Sequence, residues 1–199
     1  SQTYTNFEVL CVDDGSTDHS LDILRFYEKK DNRIKVFIQE NGEIVWEHKA
    51  PDSNDIWVLP NKNILFTAGK EVLEVSRKND TIFHYTSESN IFACQRLKNG
   101  NTFIGECDNG RLLEVSPDGS IVKDVSILPF GVKTGGHAFM RNARCLDNGH
   151  YLVAHYGGKS VVEYDENGKA VWNIPISGGA HSVIRLPSGN TLVAVTDKD

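Results

Sequence analysis

Two groups of residues carry side chains of the kinds that hold ligands. The first is Asp13-Asp14-Gly15-Ser16, two adjacent carboxylates running into a Gly-Ser turn. Carboxylates accept hydrogen bonds, and they also close turns and cap helix starts. The second group is spread more widely: His137 and His181 each follow glycines, and Arg141, Asn142 and Arg144 lie shortly after His137. Imidazole, guanidinium and amide groups brought together could grip a ligand by hydrogen bonding. The other histidines, His48, His84, His150 and His155, lack the spacing of metal ligands and read as surface or satisfied core residues. Cys11, Cys94, Cys107 and Cys145 show neither a Cys-x-x-Cys spacing nor a dense disulfide framework. Cys94 and Cys107 flank a predicted hairpin and either meet across it or stay as buried free thiols. No cofactor is expected from these residues.

What such groups do depends on the elements that hold them, and composition bounds those first. A chain of 199 residues with 39% apolar content can bury one good core or two small ones. A net charge of -6 argues against a nucleic-acid partner, because phosphate binding needs clustered Lys and Arg. The densest basic group, Lys29, Lys30 and Arg33, is interrupted by Asp31. No stretch approaches the roughly 20 apolar residues of a membrane span, and the expectation is a soluble protein with no visible signal peptide.

The first forty residues read as strand, helix, strand. An apolar run from Glu8 to Val12 ends in the Asp cluster, Ser, Thr and Asp offer caps, and Leu21, Ile23, Leu24, Phe26 and Tyr27 have the spacing of one helical face. A second apolar run, Ile34 to Ile38, completes a βαβ unit that should cross over right-handed. The stretch from Gln2 to Asp18, with Val9-Leu10-Cys11-Val12-Asp13-Asp14-Gly15-Ser16-Thr17-Asp18 at its centre, resembles the nucleotide-binding segment of family 2 glycosyltransferases of the GT-A fold. That resemblance implies that Asp13 and Asp14, with Gly15 and Ser16, contact a nucleotide-sugar donor, and that a divalent metal accompanies it. It covers about residues 1–41. The Asp-x-Asp metal ligand and the general base of the family lie outside the resemblance, so a transferase built from these residues alone is not expected; the plainer reading is an Asp cluster that serves as turn and cap.

From Glu43 onward a different grammar takes over. Leu59-Pro60-Asn61-Lys62-Asn63, Leu97-Lys98-Asn99-Gly100-Asn101, Leu146-Asp147-Asn148-Gly149-His150 and Leu186-Pro187-Ser188-Gly189-Asn190 are four copies of one turn, each followed by an apolar run. In phase with them recur Glu71-Val72-Leu73-Glu74-Val75, Arg111-Leu112-Leu113-Glu114-Val115 and Ser160-Val161-Val162-Glu163-Tyr164. A turn and an outer strand follow, as at Asn167-Gly168. A repeat of about forty residues built this way is the signature of four-stranded blades. The pattern Asp165 to Trp172, with Gly179-Ala180-His181-Ser182-Val183-Ile184-Arg185-Leu186, resembles PQQ-like and arylsulfotransferase-like propeller repeats over residues 42–199. The resemblance carries no cofactor or catalytic residue with it. Trp46 and Trp172 read as blade-packing anchors on outer strands.

The expected fold is therefore mainly β: a partial or small, about four-blade, β-propeller at residues 42–199 behind an N-terminal βαβ fragment at residues 1–41. Innermost strands line a propeller channel, so His137, Arg141, Asn142 and His181 become ligand contacts at its mouth, or else polar loop residues that face solvent or bond a neighbouring blade. The Gly-rich insertion from Pro129 to Gly136 lies over the same mouth. Glu40-Asn41-Gly42 suits both grammars, and the expectation is a fusion of two truncated domains. Ile34–Ile38 and Ile44–Trp46 could alternatively supply outer strands that close a four-bladed ring, against an open arc with exposed edges. The function expected is a non-catalytic propeller segment that binds a small molecule, carbohydrate or protein; the alternative is nucleotide-sugar binding through the N-terminal segment.

Overall fold

The computed structural model describes residues 9–13, 15–38, 46–127 and 139–196. The chain divides into two compact units, Ser1–Glu47 and His48–Asp199. His137, Asp14 and the insertion from Pro129 to Gly136 lie outside the described residues, as do Ile44 and Val45; Trp46 stands in no strand.

In the first unit, β1 (Val9–Asp13) pairs in parallel with β2 (Ile34–Ile38), and α1 (Ser20–Lys30) makes the crossover. Just before α1, Asp18 Oδ1 accepts the Ser20 N–H at 2.9 Å, and hydrogen bonds from the Ser20 side chain and then its backbone hold the Asp18 carboxyl below its ordinary range. Glu28 ties helix to strand by accepting the Val36 N–H at 2.8 Å while Arg25 donates to it at 2.6 Å. Among the described residues, Ile34–Ile38 pairs with β1 in this parallel sheet. Two strands and one helix bury little: α1 has no buried residue, and Val9, Val12, Ile23, Phe26, Phe37 and Ile38 are exposed.

The second unit is a series of antiparallel sheets. The first holds β3 (Ile56–Val58), β4 (Ile64–Ala68), β5 (Glu71–Val75) and β6 (Thr81–Thr86). The second holds β7 (Ile91–Arg96), β8 (Thr102–Glu106), β9 (Arg111–Val115) and β10 (Ile121–Ser126). The third holds β11 (Asn142–Cys145), β12 (Tyr151–His155), β13 (Ser160–Tyr164) and β14 (Ala170–Pro175). The last has β15 (Gly179–Arg185) and β16 (Thr191–Thr196). In every sheet the strands pair in chain order, the meander expected of blades.

One turn joins the first and second strands of each sheet. Leu59, Leu97, Leu146 and Leu186 each donate the N–H to the carbonyl four residues on and accept a bond from the residue three on. That fourth turn position needs positive φ, supplied by Gly100, Gly149 and Gly189, while Lys62 takes it in the first sheet at φ +69°.

The core lies between sheets, not within them. Leu65, Val72, Ile104 and Leu113 pack the first sheet on the second; Phe103, Phe139, Tyr151, Val153 and Tyr164 join the second to the third; Leu152, Ala154, Ala180 and Val183 join the third to the last. Second strands are sandwiched on both faces, which is why β4, β8 and β12 are buried throughout and carry no polar alternation. None of the four cysteines is in a disulfide; Cys94 and Cys107 are buried thiols, and burial pushes Cys107 up to about 12.

His155 is a satisfied core residue. Its Nδ1 donates to the Phe139 carbonyl at 2.7 Å and its Nε2 accepts from the Tyr164 hydroxyl at 2.8 Å. Burial lowers its pKa to about 4 from 6.5, so the folded chain holds the neutral ring. Above pH ~6.5 both states are neutral; between pH ~6.5 and ~4 only the unfolded chain takes up the proton, and stability falls, by roughly 3 kcal/mol in all. Urea titrations across that range should show this loss in the wild type and a flatter profile in His155→Gln, which has no ring to protonate.

Candidate functional site

Of the first strands of the sheets, β7 packs on β11 and β11 on β15. Asp55, just before β3, bonds to residues of both β7 and β11. Thr67 on β4 fixes its backbone, the hydroxyl oxygen accepting the N–H groups of Asn54 and Asp55 at 2.9 and 3.1 Å. The Asp55 carboxylate then accepts both Nη groups of Arg144, at 2.6 and 3.0 Å, and the Cys94 N–H at 3.0 Å. Arg144 lies 5.1 Å over the Trp57 ring, and Trp57 donates to the Cys94 carbonyl at 2.6 Å. Gln95 and the Cys145 backbone exchange two further bonds. Arg144, which the sequence places beside the candidate site, is thus fully engaged in holding three sheets together.

Arg141, just before β11, and His181, on β15, lie together. The Arg141 Nε donates to His181 Nε2 at 3.3 Å, which requires an unprotonated nitrogen there, and its Nη1 donates to Asn54 Oδ1 at 2.8 Å. The guanidinium also lies 4.8 Å over the Phe92 ring. These partners are neutral acceptors, whereas Arg96, Arg111, Arg144 and Arg185 each meet a carboxylate. Asn142 is buried, and its Oδ1 accepts the Val183 N–H at 3.4 Å, a tie between the third and last sheets.

In the first unit, the buried Asp13 accepts the Ser16 N–H at 3.3 Å through Oδ2, and Gly15 between them has φ +70°. Asp13, Gly15 and Ser16 therefore share one tight turn at the carboxyl end of β1.

Sequence reasoning missed a set of repeated clasps. Glu74, Glu114 and Glu163 hold the same place in β5, β9 and β13. Glu74 accepts from Asn63 at 2.6 Å and from Arg96 of the next sheet at 2.6 Å; Glu163 bonds His150 at 2.8 Å and Arg185 of the next sheet at 2.6 Å. Glu114 accepts from Asn99 and Asn101, and Cys145 occupies the place of the arginine. The in-phase Glu of each third strand and the Arg before Leu97 and Leu186 were the available signal. Beyond the clasps, a cavity of about 670 Å³ is lined among others by Trp57, Gln95, Arg144, Glu163 and Arg185.

Comparison with known proteins separates the two units. Residues 1–45 match glycosyl transferase family 2. A glycosyltransferase, GlyG, of Streptococcus pneumoniae is 52% identical over 40 residues, 20% of this chain and 13% of that protein. A putative glycosyltransferase, EpsH, of Bacillus subtilis is 38% identical over 88 residues, 36% of this chain and 24% of that protein. The chain therefore spans a quarter or less of these relatives. Among solved structures, a protein of unknown function from Bacteroides caccae superposes with a TM-score of 0.65 at 23% identity, over 74% of this chain and 54% of that one. The WD40 β-propeller domain of Doa1 gives 0.58 at 16% identity over 73% and 48%. A virginiamycin B lyase from Staphylococcus aureus gives 0.57 at 14% over 74% and 50%. A segment similar to family 2 glycosyltransferases thus precedes a β-propeller fold. At these identities the propeller neighbours establish fold alone. Among the described residues, no helix is long and apolar enough to cross a membrane.

Asp55→Asn should leave Arg144 buried without a counter-charge and cost roughly 3–5 kcal/mol, read as a lower urea midpoint. The double variant Asp55→Asn, Arg144→Leu should recover part of that loss because no buried charge is left unpaired.

Proposed function

We propose that the propeller unit is a binding module without catalysis of its own, and that it takes a small polar ligand bearing a carboxylate or sulfate at the mouth formed by Arg141, His181, Asn54 and Phe92. The observation that carries this reading is the company Arg141 keeps. An arginine paired to neutral imidazole and amide acceptors can exchange them for an anion without breaking an ion pair, and a charge-assisted bond is stronger than the neutral bonds it replaces. The Phe92 ring beneath it keeps the guanidinium plane in place. Asn142, by fixing Val183 on β15, positions His181 within the same strand.

Isothermal titration with glucuronate, with glucose as the neutral control, tests it. Glucuronate should give heat, EDTA should change nothing, and Arg141→Gln should weaken binding about 10–100-fold while leaving the thermal transition in place. Equal affinity for glucuronate and glucose, or an unaltered Arg141→Gln, would sink the reading.

A second reading rests on the match of residues 1–45 to the transferase family and on the Asp13 turn: nucleoside diphosphate binding by the first unit, with Asp13, Asp14, Gly15 and Ser16 toward the donor and a divalent metal on the phosphates. Titration of the full chain with UDP and Mn²⁺ should then give heat that EDTA and Asp13→Asn both abolish. The absence of heat with UDP and Mn²⁺ rejects it.

A further inference from the structure

Two adjacent residues, Asn54 and Asp55, receive Arg141 and Arg144 on unequal terms. Thr67 holds the backbone N–H groups of both, at 2.9 and 3.1 Å, so the two side chains leave one fixed stretch of chain. Asp55 takes Arg144 through two charged bonds, at 2.6 and 3.0 Å. Asn54 takes Arg141 through a single neutral bond, Nη1 donating to Oδ1 at 2.8 Å. Arg141 Nε donates to His181, and its Nη2 makes no hydrogen bond among the described residues.

The Asn54 amide is oriented independently of Arg141. Its Nδ2 donates to the Asp52 carbonyl at 2.9 Å, and that bond turns Oδ1 toward the guanidinium. Only an amide makes both bonds, since a carboxylate has no N–H for the Asp52 carbonyl. A carboxylate of the same shape would instead set a full negative charge against Arg141, and the neighbouring pair shows the outcome: Arg144 is held by both oxygens of Asp55.

We propose that Asn54 is the specificity-determining residue of the Arg141 site: as a neutral acceptor it steadies the guanidinium while leaving its charge and its Nη2 to the ligand, and so selects a ligand that brings its own negative charge. This inference rests on the reading of Arg141 as an anion contact. A neutral ligand gains from Arg141 no more than the kind of bond Asn54 already makes, whereas an anion gains a charge-assisted one. A carboxylate at position 54 would compete with the ligand from within the chain, at the high effective concentration of a tethered group, and would commit Arg141 as Asp55 commits Arg144. The effect lies in the direct contact of two side chains and needs no further residue.

The test titrates glucuronate into the full chain as wild type, Asn54→Ala and Asn54→Asp. Asn54→Ala should weaken binding about threefold because Arg141 loses a neutral bond that steadies it, and Asn54→Asp should weaken it about tenfold or more beyond Asn54→Ala. A residue that merely shaped the site would make the two losses equal. NMR of the ligand-free chain supplies a second readout: the Arg141 Nε–H signal, assigned by its disappearance in Arg141→Gln, should exchange with water about threefold or more slowly in Asn54→Asp than in Asn54→Ala, because an ion pair holds the guanidinium harder than no partner does. Heat from the wild type with equal losses in the two variants, or an Arg141 signal that exchanges alike in both, overturns this inference and leaves the Arg141 reading standing. No heat from the wild type overturns both.

Discussion

One buried carboxylate organises the propeller unit. Asp55 belongs to the first sheet, but its oxygens accept the Cys94 amide from the second sheet and the Arg144 guanidinium from the third. A buried charge is costly unless paired and hydrogen-bonded, and here each member satisfies the others: Thr67 fixes the Asp55 backbone, Trp57 covers Arg144, and Trp57 in turn bonds the Cys94 carbonyl. The arrangement sets the angle between sheets as well as their contact, because a bidentate fork tolerates little rotation. It also divides the roles of two nearby arginines. Arg144 is committed to Asp55, while Arg141, just before the short strand β11, bonds Asn54 and His181.

Around that centre the sheets are joined by a mixture of apolar cores and polar clasps, and the two compensate each other. The first sheet meets the second, and the third meets the last, with a Glu–Arg pair. Where Cys145 replaces the arginine, between the second and third sheets, the apolar contact is the most extensive: Phe103 stacks on Tyr151 at 5.7 Å, Met140 joins the same cluster, and Phe139 and Tyr164 flank His155 nearby. Burial and the neighbouring Glu114 both raise the Cys145 thiol, so it stays protonated and apolar in this seam. The buried His155 ring belongs to the same seam, which links the acid response of the fold to this one junction.

The two units contrast in how well their size suits their sequence. In the propeller unit, interior strands are covered on both faces and the apolar runs are used. In the first unit the same kinds of apolar residue are left exposed, since a single βαβ crossover offers one thin layer on each side of a two-stranded sheet. Residues 1–45 match a family whose members here are far longer than the matched stretch, and the exposed Val12, Phe26 and Phe37 are the kind of surface that neighbouring elements cover in a larger α/β sheet.

The sequence by itself determined what is local and periodic. The βαβ order follows from apolar runs broken by Asp13 to Asp18, and the blades follow from a turn whose geometry four copies repeat, down to the positive φ that Lys62 adopts where the others have glycine. Strand order was legible because each connection is a short hairpin, which leaves little choice of neighbour. The identity of the site's partners was not legible. Arg141 and Arg144 are three residues apart and chemically identical, and only the packing of sheets far apart in the chain hands one to Asp55 and the other to Asn54 and His181. Asp55 gave no signal because a lone Asp before a strand reads as a turn residue until Cys94 and Arg144 converge on it. The same holds for the Glu clasps, whose recurrence is visible in the sequence but whose arginine partners come from the following sheet. Hydrogen bonds between distant segments depend on distances set by the whole fold, whereas hairpins and helices depend on neighbours a few residues away, and that difference in range is what separates the two kinds of knowledge.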